Sequence, residues 1–173
     1  SYNNLGAVWS NKGEYDKAIK YYEKSLAIRL KVHGDQHPDT GVSYNNLGTV
    51  WDEKGEYDKA IEYFEKSLAI SLKVHGNQHP STGLSYNNLG AVWSNKGEYD
   101  KAIKYYEKSL AIRLKVHGDQ HPDTGVSYNN LGTVWDEKGE YDKAIEYFEK
   151  SLAISLKVHG NQHPSTGLSY NNL

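Results

Sequence analysis

The chain has 173 residues, of which 37% are hydrophobic and 24% charged, with a formal net charge of −2. That balance offers no electrostatic case for nucleic acid or an anionic membrane surface. The absence of cysteine excludes disulfides, thiol catalysis and cysteine-based zinc or iron–sulfur sites.

SYNNLG begins at Ser1 and returns at Ser43, Ser85 and Ser127, while SYNNL starts once more at Ser169. Residues 1–84 recur letter for letter as 85–168. A fixed 42-residue period predicts a stacked array in place of one globular core. We therefore divide the chain, as a single array over 1–173, into repeats 1–42, 43–84, 85–126 and 127–168, with a partial fifth at 169–173. There is no 18-residue apolar run and no signal-peptide start, so neither a membrane span nor secretion is expected, and the balance favours the cytoplasm.

In chain order, the first segment carries Tyr2, Leu5, Gly6 and Trp9 on one helical arc, the spacing of a core face. Opposite lies a small or polar row: Val42, Asn46, Thr49 and Glu53 in an even repeat, or Leu84, Asn88, Ala91 and Asn95 in an odd one. Gly13 ends this helix as a C′ glycine. The second segment has two adjacent apolar stripes, one of Tyr15, Ala18, Ile19, Tyr22 and Leu26, the other of Tyr21, Ser25, Ile28 and Val32. A helix apolar over so wide an arc needs two neighbours, its own first helix and that of the next repeat. It runs to about His33, where Gly34 stops it. His37-Pro38 opens the next first helix, with Pro38 at N1, so the physical unit starts near Pro38.

Odd and even repeats differ at nine positions, and their formal charges are +1 and −2. Lys20 and Glu62 put opposite signs on equivalent outer positions, which reads as a register signal. Arg29, replaced by Ser71 in the even repeat, points toward the apolar arc, where a salt bridge to Asp39 is one available pairing.

The spacing of Tyr2, Leu5, Gly6, Trp9, Gly13, Tyr15, Ala18, Tyr22 and Ser25 resembles the tetratricopeptide signature. The run HGDQHPDTGVSYNNLG and the 42-residue period resemble the longer variety found in kinesin light chains and related bacterial arrays. The resemblance implies an all-α fold: antiparallel helix-turn-helix pairs in a right-handed superhelical solenoid with a concave groove. It departs from the family where Leu30 stands in place of the usual proline after the second helix.

No residue pattern points to catalysis: GxSxG, a Gly-rich phosphate loop and HExxH are all missing. His33 and His37, with their copies, have a spacing that on one helix could hold zinc or nickel. Gly34 interrupts that helix, and Asp35 becomes Asn77 in the next repeat, so we read His33 against the negative helix end and His37 as an N-terminal cap. No metal or cofactor is expected. The resemblance instead implies that groove asparagines hold the backbone of an extended peptide, which an amide can do as donor and acceptor. The residues concerned are Asn3, Asn4, Asn45, Asn46 and Thr49, then Asn87, Asn88, Asn129, Asn130 and Thr133. Basic groove residues that would clamp a carboxylate are missing, so a neutral or basic segment is the expected ligand.

The expectation is thus a non-catalytic protein-interaction scaffold, the alternative being a structural spacer or self-assembling filament. Both termini cut through a first helix and neither bears a polar capping repeat. This suggests an excerpt of a longer array or a consensus design, and predicts end-to-end self-association.

Overall fold

The computed structural model describes residues 1–160, so the partial repeat at 169–173 lies outside the described residues. Every regular element among them is an α-helix. The chain divides into two units, Ser1–Asn77 and Gln78–Leu173.

The first unit holds α1 (Tyr2–Asn11), α2 (Tyr15–His33), α3 (Pro38–Glu53) and α4 (Tyr57–His75). The second holds α5 (Pro80–Asn95), α6 (Tyr99–His117), α7 (Pro122–Glu137) and α8 (Tyr141–His159). In each unit, short turns fold neighbouring helices back on one another.

The turn between α1 and α2 shows why. Gly13 has φ +73°, its N–H donates to the Ser10 carbonyl at 2.8 Å, and the Glu14 N–H reaches the Trp9 carbonyl at 3.0 Å. These two bonds are a Schellman closure, which satisfies the last carbonyls of α1 and needs a residue tolerant of positive φ. At the other turn, His37 caps α3 by accepting the Asp39 N–H on Nδ1 at 3.1 Å, and Pro38 follows it in the first turn. Thr40, fully buried, donates its hydroxyl to the Gly34 carbonyl at 2.7 Å and ties the loop to the helix it enters.

Packing within the first unit follows from small residues under large ones. Gly48 of α3 lies beneath the Phe64 ring of α4, and Gly6 of α1 beneath the Tyr22 ring of α2. A little further along, Gly41 faces Ile70. On its other side α3 presses Leu47 and Val50 onto Ala18, Ile19 and Tyr22 of α2, a buried cluster edged by Trp9, Leu26, Trp51 and Tyr63. Within the first unit α2 therefore has two first-helix neighbours, α1 and α3, and within the second α6 has α5 and α7, as the wide apolar arc requires. Burying Leu47 fully contributes about 1.5–3 kcal/mol. In the second unit Ala102, Ile103, Tyr106, Leu131 and Val134 form the corresponding cluster.

Four expectations need correction. Val32 and its copies Val74, Val116 and Val158 are exposed, although they lie on the second apolar stripe. The reason is antiparallel geometry: the first turn of α3 is level with Ile70, and Val74 extends a turn past it. Tyr2 and Leu5 of α1 are exposed where Leu47 is buried, because Leu47 has α2 beneath it. The outer Glu62 is held by Lys66 of its own helix at 2.6 Å, so Lys20 is not its partner. Arg29 does reach Asp39, but donates from Nη1 to its backbone carbonyl at 2.7 Å and to Ser43 Oγ at 2.9 Å, leaving the carboxylate aside.

Candidate peptide-binding face

The row formed by α1 and α3 is held in register by paired side chains. Asn46 Nδ2 donates to Asn3 Oδ1 at 2.8 Å, and Ser10 Oγ donates to Glu53 Oε2. Both pairs join residues 43 apart, one more than the repeat. The row of α5 and α7 repeats the pattern: Asn130 Nδ2 to Asn87 Oδ1 at 3.0 Å, and Ser94 Oγ to Glu137 Oε2 at 2.6 Å. Thr49 and Thr133, both exposed, turn their hydroxyls back to the carbonyls of Asn45 and Asn129 at 3.1 Å.

The asparagines predicted for this face are thus brought together, but first of all with one another. Each rung uses one N–H of Asn46 and one lone pair of Asn3. The second N–H and the carbonyl of Asn46, and both N–H groups of Asn3, are left for another partner. Asn4 is exposed, while Asn45, Asn88 and Asn129 are half-buried and also engaged in polar interactions. The rung explains why two adjacent asparagines are needed. The first residue of NN in one repeat accepts from the second residue of NN in the next. A period of 42 combined with a dipeptide of amides was the available signal for this ladder.

Around the rungs the surface mixes apolar and acidic groups. Val42 is half exposed, with Thr49 and Glu53 beside it on the same helix face. Towards the turn, Lys54 Nζ donates to Asp16 Oδ1 at 2.6 Å, as Lys138 does to Asp100. Tyr22, beneath Gly6, has its phenol pushed above the ordinary range by burial and then by the negative charge of Glu53. Burial likewise lowers the Arg113 guanidinium, which donates to the Asp123 carbonyl and to Ser127 Oγ.

The tryptophans lie at the turns, with Lys54 and Lys59 Nζ at 5.1 and 4.2 Å from the Trp51 ring centroid. Their bodies are half-buried, so they offer no open stacking platform to a base.

The histidine pair is compact. The rings of His33 and His37 stack at 4.4 Å, with the Asp39 carboxylate 3.9 and 3.8 Å from their nitrogens. Asp39, and not the Asp35 singled out by spacing, is the nearby acid. His37 Nδ1 already accepts the capping N–H, and no group of three His, Cys, Asp or Glu among the described residues is arranged to hold a metal ion. No helix among the described residues is long and apolar enough to cross a membrane.

Several solved structures resemble the chain closely. The nearly identical kinesin-light-chain TPR-like repeats of Podosopora anserina match with a TM-score of 0.86 and 26% identity, over 99% of this chain and 82% of that one. BtubC (BKLC) from P. vanneervenii matches with a TM-score of 0.83 and 27% identity, over 94% of this chain and 65% of that one. The apo form of RapI, at 22% identity and a TM-score of 0.76 over 91% of this chain and 42% of its own, shares the fold. No curated protein sequence matches significantly. The tetratricopeptide repeat model matches residues 1–71, 53–94, 93–155 and 136–173, so the chain belongs to the tetratricopeptide repeat family, whose members are generally non-catalytic protein-interaction scaffolds.

Proposed function

We propose that the chain is a scaffold that holds an extended peptide along its first-helix face. The observation that carries this reading is the asparagine ladder, which fixes amides in a row and leaves part of each amide uncommitted. An extended backbone presents alternating donors and acceptors, and fixed amides match them without demanding a particular sequence. Because the ladder orders these side chains before the ligand arrives, less conformational entropy is lost on binding. Val42 and Val126 supply apolar contact for alternate side chains. Glu53 and Glu137, with Asp52 and Asp136 next to them, disfavour acidic segments and suit neutral or lysine-containing ones. Binding to the latter should weaken as salt rises.

The test separates the face from the ladder. Two dodecapeptide libraries, one neutral to basic and one acidic, are selected on the 173-residue chain, and the enriched peptides are measured by fluorescence polarisation. Thr49→Lys/Thr133→Lys adds bulk and positive charge beside the rungs without cutting them, and should leave thermal stability within about 0.5 kcal/mol. We expect enrichment from the neutral-to-basic library and a loss of at least about tenfold in affinity, about 1.4 kcal/mol, in the double variant. Enrichment from neither library, or binding indifferent to the substitutions, would sink the reading.

A further inference from the structure

In each unit one turn holds two imidazoles face to face with a carboxylate beside them. His33 ends α2 and His37 precedes α3, with Gly34 breaking the helix between them. Their rings stack at 4.4 Å with 19° between planes, and Asp39 Oδ2 lies 3.9 Å from His33 Nε2 and 3.8 Å from His37 Nδ1. His117, His121 and Asp123 repeat the arrangement in the second unit, with the rings at 4.4 Å and the carboxylate at 3.9 and 3.8 Å. Arg29, four residues before His33, brings a positive charge to the same turn through its bond to the Asp39 carbonyl at 2.7 Å. Asp35, in the loop itself, is within ion-pair distance of neither ring. The cap on α3 fixes where a hydrogen can be. His37 Nδ1 accepts the Asp39 N–H at 3.1 Å, so it carries a lone pair, and the ring is a neutral imidazole with its hydrogen on Nε2. His121 Nδ1 accepts the Asp123 N–H at 3.1 Å in the same way.

We propose that this turn is a proton-operated clasp, between α2 and α3 and again between α6 and α7, which tightens on a first proton and opens on a second. A proton on His33 sits at the negative end of α2 and against the Asp39 carboxylate, and both favour it. With His33 charged, the folded turn holds more protons than the unfolded chain, so this step adds stability as pH falls. A proton on His37 does the reverse. It occupies the lone pair that caps α3, sets one N–H against another, and places positive charge at the positive end of that helix. It also stacks two cations 4.4 Å apart, which a single carboxylate does not neutralise. The folded turn therefore resists the second proton more than the unfolded chain does, and stability is lost as pH drops further. Both steps belong to the range in which imidazole changes charge, between about pH 5 and 8. The Thr40 hydroxyl on the Gly34 carbonyl and the Arg29 guanidinium on the Asp39 carbonyl keep their hold, so the second proton loosens the joint and leaves the core in place.

Two measurements on the 173-residue chain test this. Nitrogen-15 imidazole spectra at pH 7.5 should show Nδ1 as the unprotonated nitrogen of His37 and His121, the signals being assigned by their loss in His37→Asn/His121→Asn. Asparagine caps a helix through an oxygen that takes no proton in this range, so the same variant isolates the second step. In thermal melts followed by circular dichroism, it should lose about 2–4 °C less than the parent between pH 6.5 and 5. His33→Gln/His117→Gln isolates the first step and should gain less than the parent between pH 8 and 6.5. Asp39→Asn/Asp123→Asn removes the counter-charge and should bring the acid loss about half a pH unit higher. His37→Ser/His121→Ser supplies a second proton-free cap should the asparagine pair fail to fold, and the nitrogen-15 spectra need no variant to fold at low pH. A protonated Nδ1 at pH 7.5 would overturn the proposal, as would asparagine or serine pairs whose acid loss equals the parent's.

Discussion

Replacing Gly48 with alanine should destabilise the protein, although alanine is the better helix former. In an unobstructed helix the change would stabilise by about 0.8–1.0 kcal/mol. At Gly48, however, the added Cβ would sit 2.7 Å from both Cδ1 and Cε1 of Phe64 and 3.0 Å from its Cγ. Relaxed carbon contacts lie near 3.5–4.0 Å, so the ring edge must retreat by roughly 0.8 Å. Phe64 is buried, and forcing extra volume into such a core costs about 1–3 kcal/mol. The net is a loss of about 1 kcal/mol. Gly41→Ala in the same helix is the control, because its Cβ would meet nothing nearer than Ile70 Cγ2 at 3.4 Å, and most of the propensity gain survives. The two variants should therefore differ by about 2 kcal/mol, or about 4–8 °C in melting midpoint for a chain of this size. Thermal melts followed by circular dichroism at 222 nm measure this. The same Gly48→Ala change made in a Phe64→Leu background should become neutral or stabilising, giving a coupling of about 1–2 kcal/mol. A Gly48→Ala variant that melts as high as Gly41→Ala, with no coupling to Phe64, would refute the argument.

Two further outcomes follow from the polar contacts. Asn3→Ala and Asn46→Ala should each cost about 1 kcal/mol, and the double variant should cost less than their sum by about 0.5–1.5 kcal/mol, read from a denaturant double-mutant cycle. Alkali should weaken the fold through Tyr22, whose phenol titrates higher in the folded chain than the ordinary value near 10. The folded state then retains a proton that the unfolded state loses, so the stabilisation is fully present below pH ~10 and is lost as pH rises through the raised folded value. Melts from pH 7 to 11 should show Tyr22→Phe losing less stability than the parent above pH ~10, with the two curves parallel below it.

Much of the fold was legible because its signals are local. Gly13 and Pro38 mark helix ends by backbone chemistry alone, and the wide arc from Tyr15 to Val32 demands two neighbours whatever they are. What escaped was anything set by how far a neighbour extends. Val32 reads as apolar and inward on a helical wheel, yet the helix that would cover it has already ended. Val50 was passed over because the face against the preceding repeat lies just beside the stripe of Tyr2, Leu5 and Trp9. At the candidate face, asparagine positions were legible but their mutual pairing was not, since a wheel for one helix carries no information about its copy 42 residues on. The alternation of odd and even repeats was visible, but the contact it serves was misread. The Ser10–Glu53 hydrogen bond and the Arg29–Ser43 contact, not Lys20 against Glu62, use the residues that differ.

Each complete repeat also contains one tryptophan, at Trp9, Trp51, Trp93 and Trp135, each with two lysine ammonium groups between 4.1 and 5.3 Å from its ring centroid. One of the two lysines follows the first helix and the other starts the second, so the ring environment exists only while that particular turn is closed. An indole beneath cationic groups should emit differently once the turn opens and water reaches it. Variants that keep one tryptophan and carry phenylalanine at the other three would make each turn its own optical probe. Four such probes resolve which turn opens first, at which denaturant concentration, and whether the turns open together or one by one.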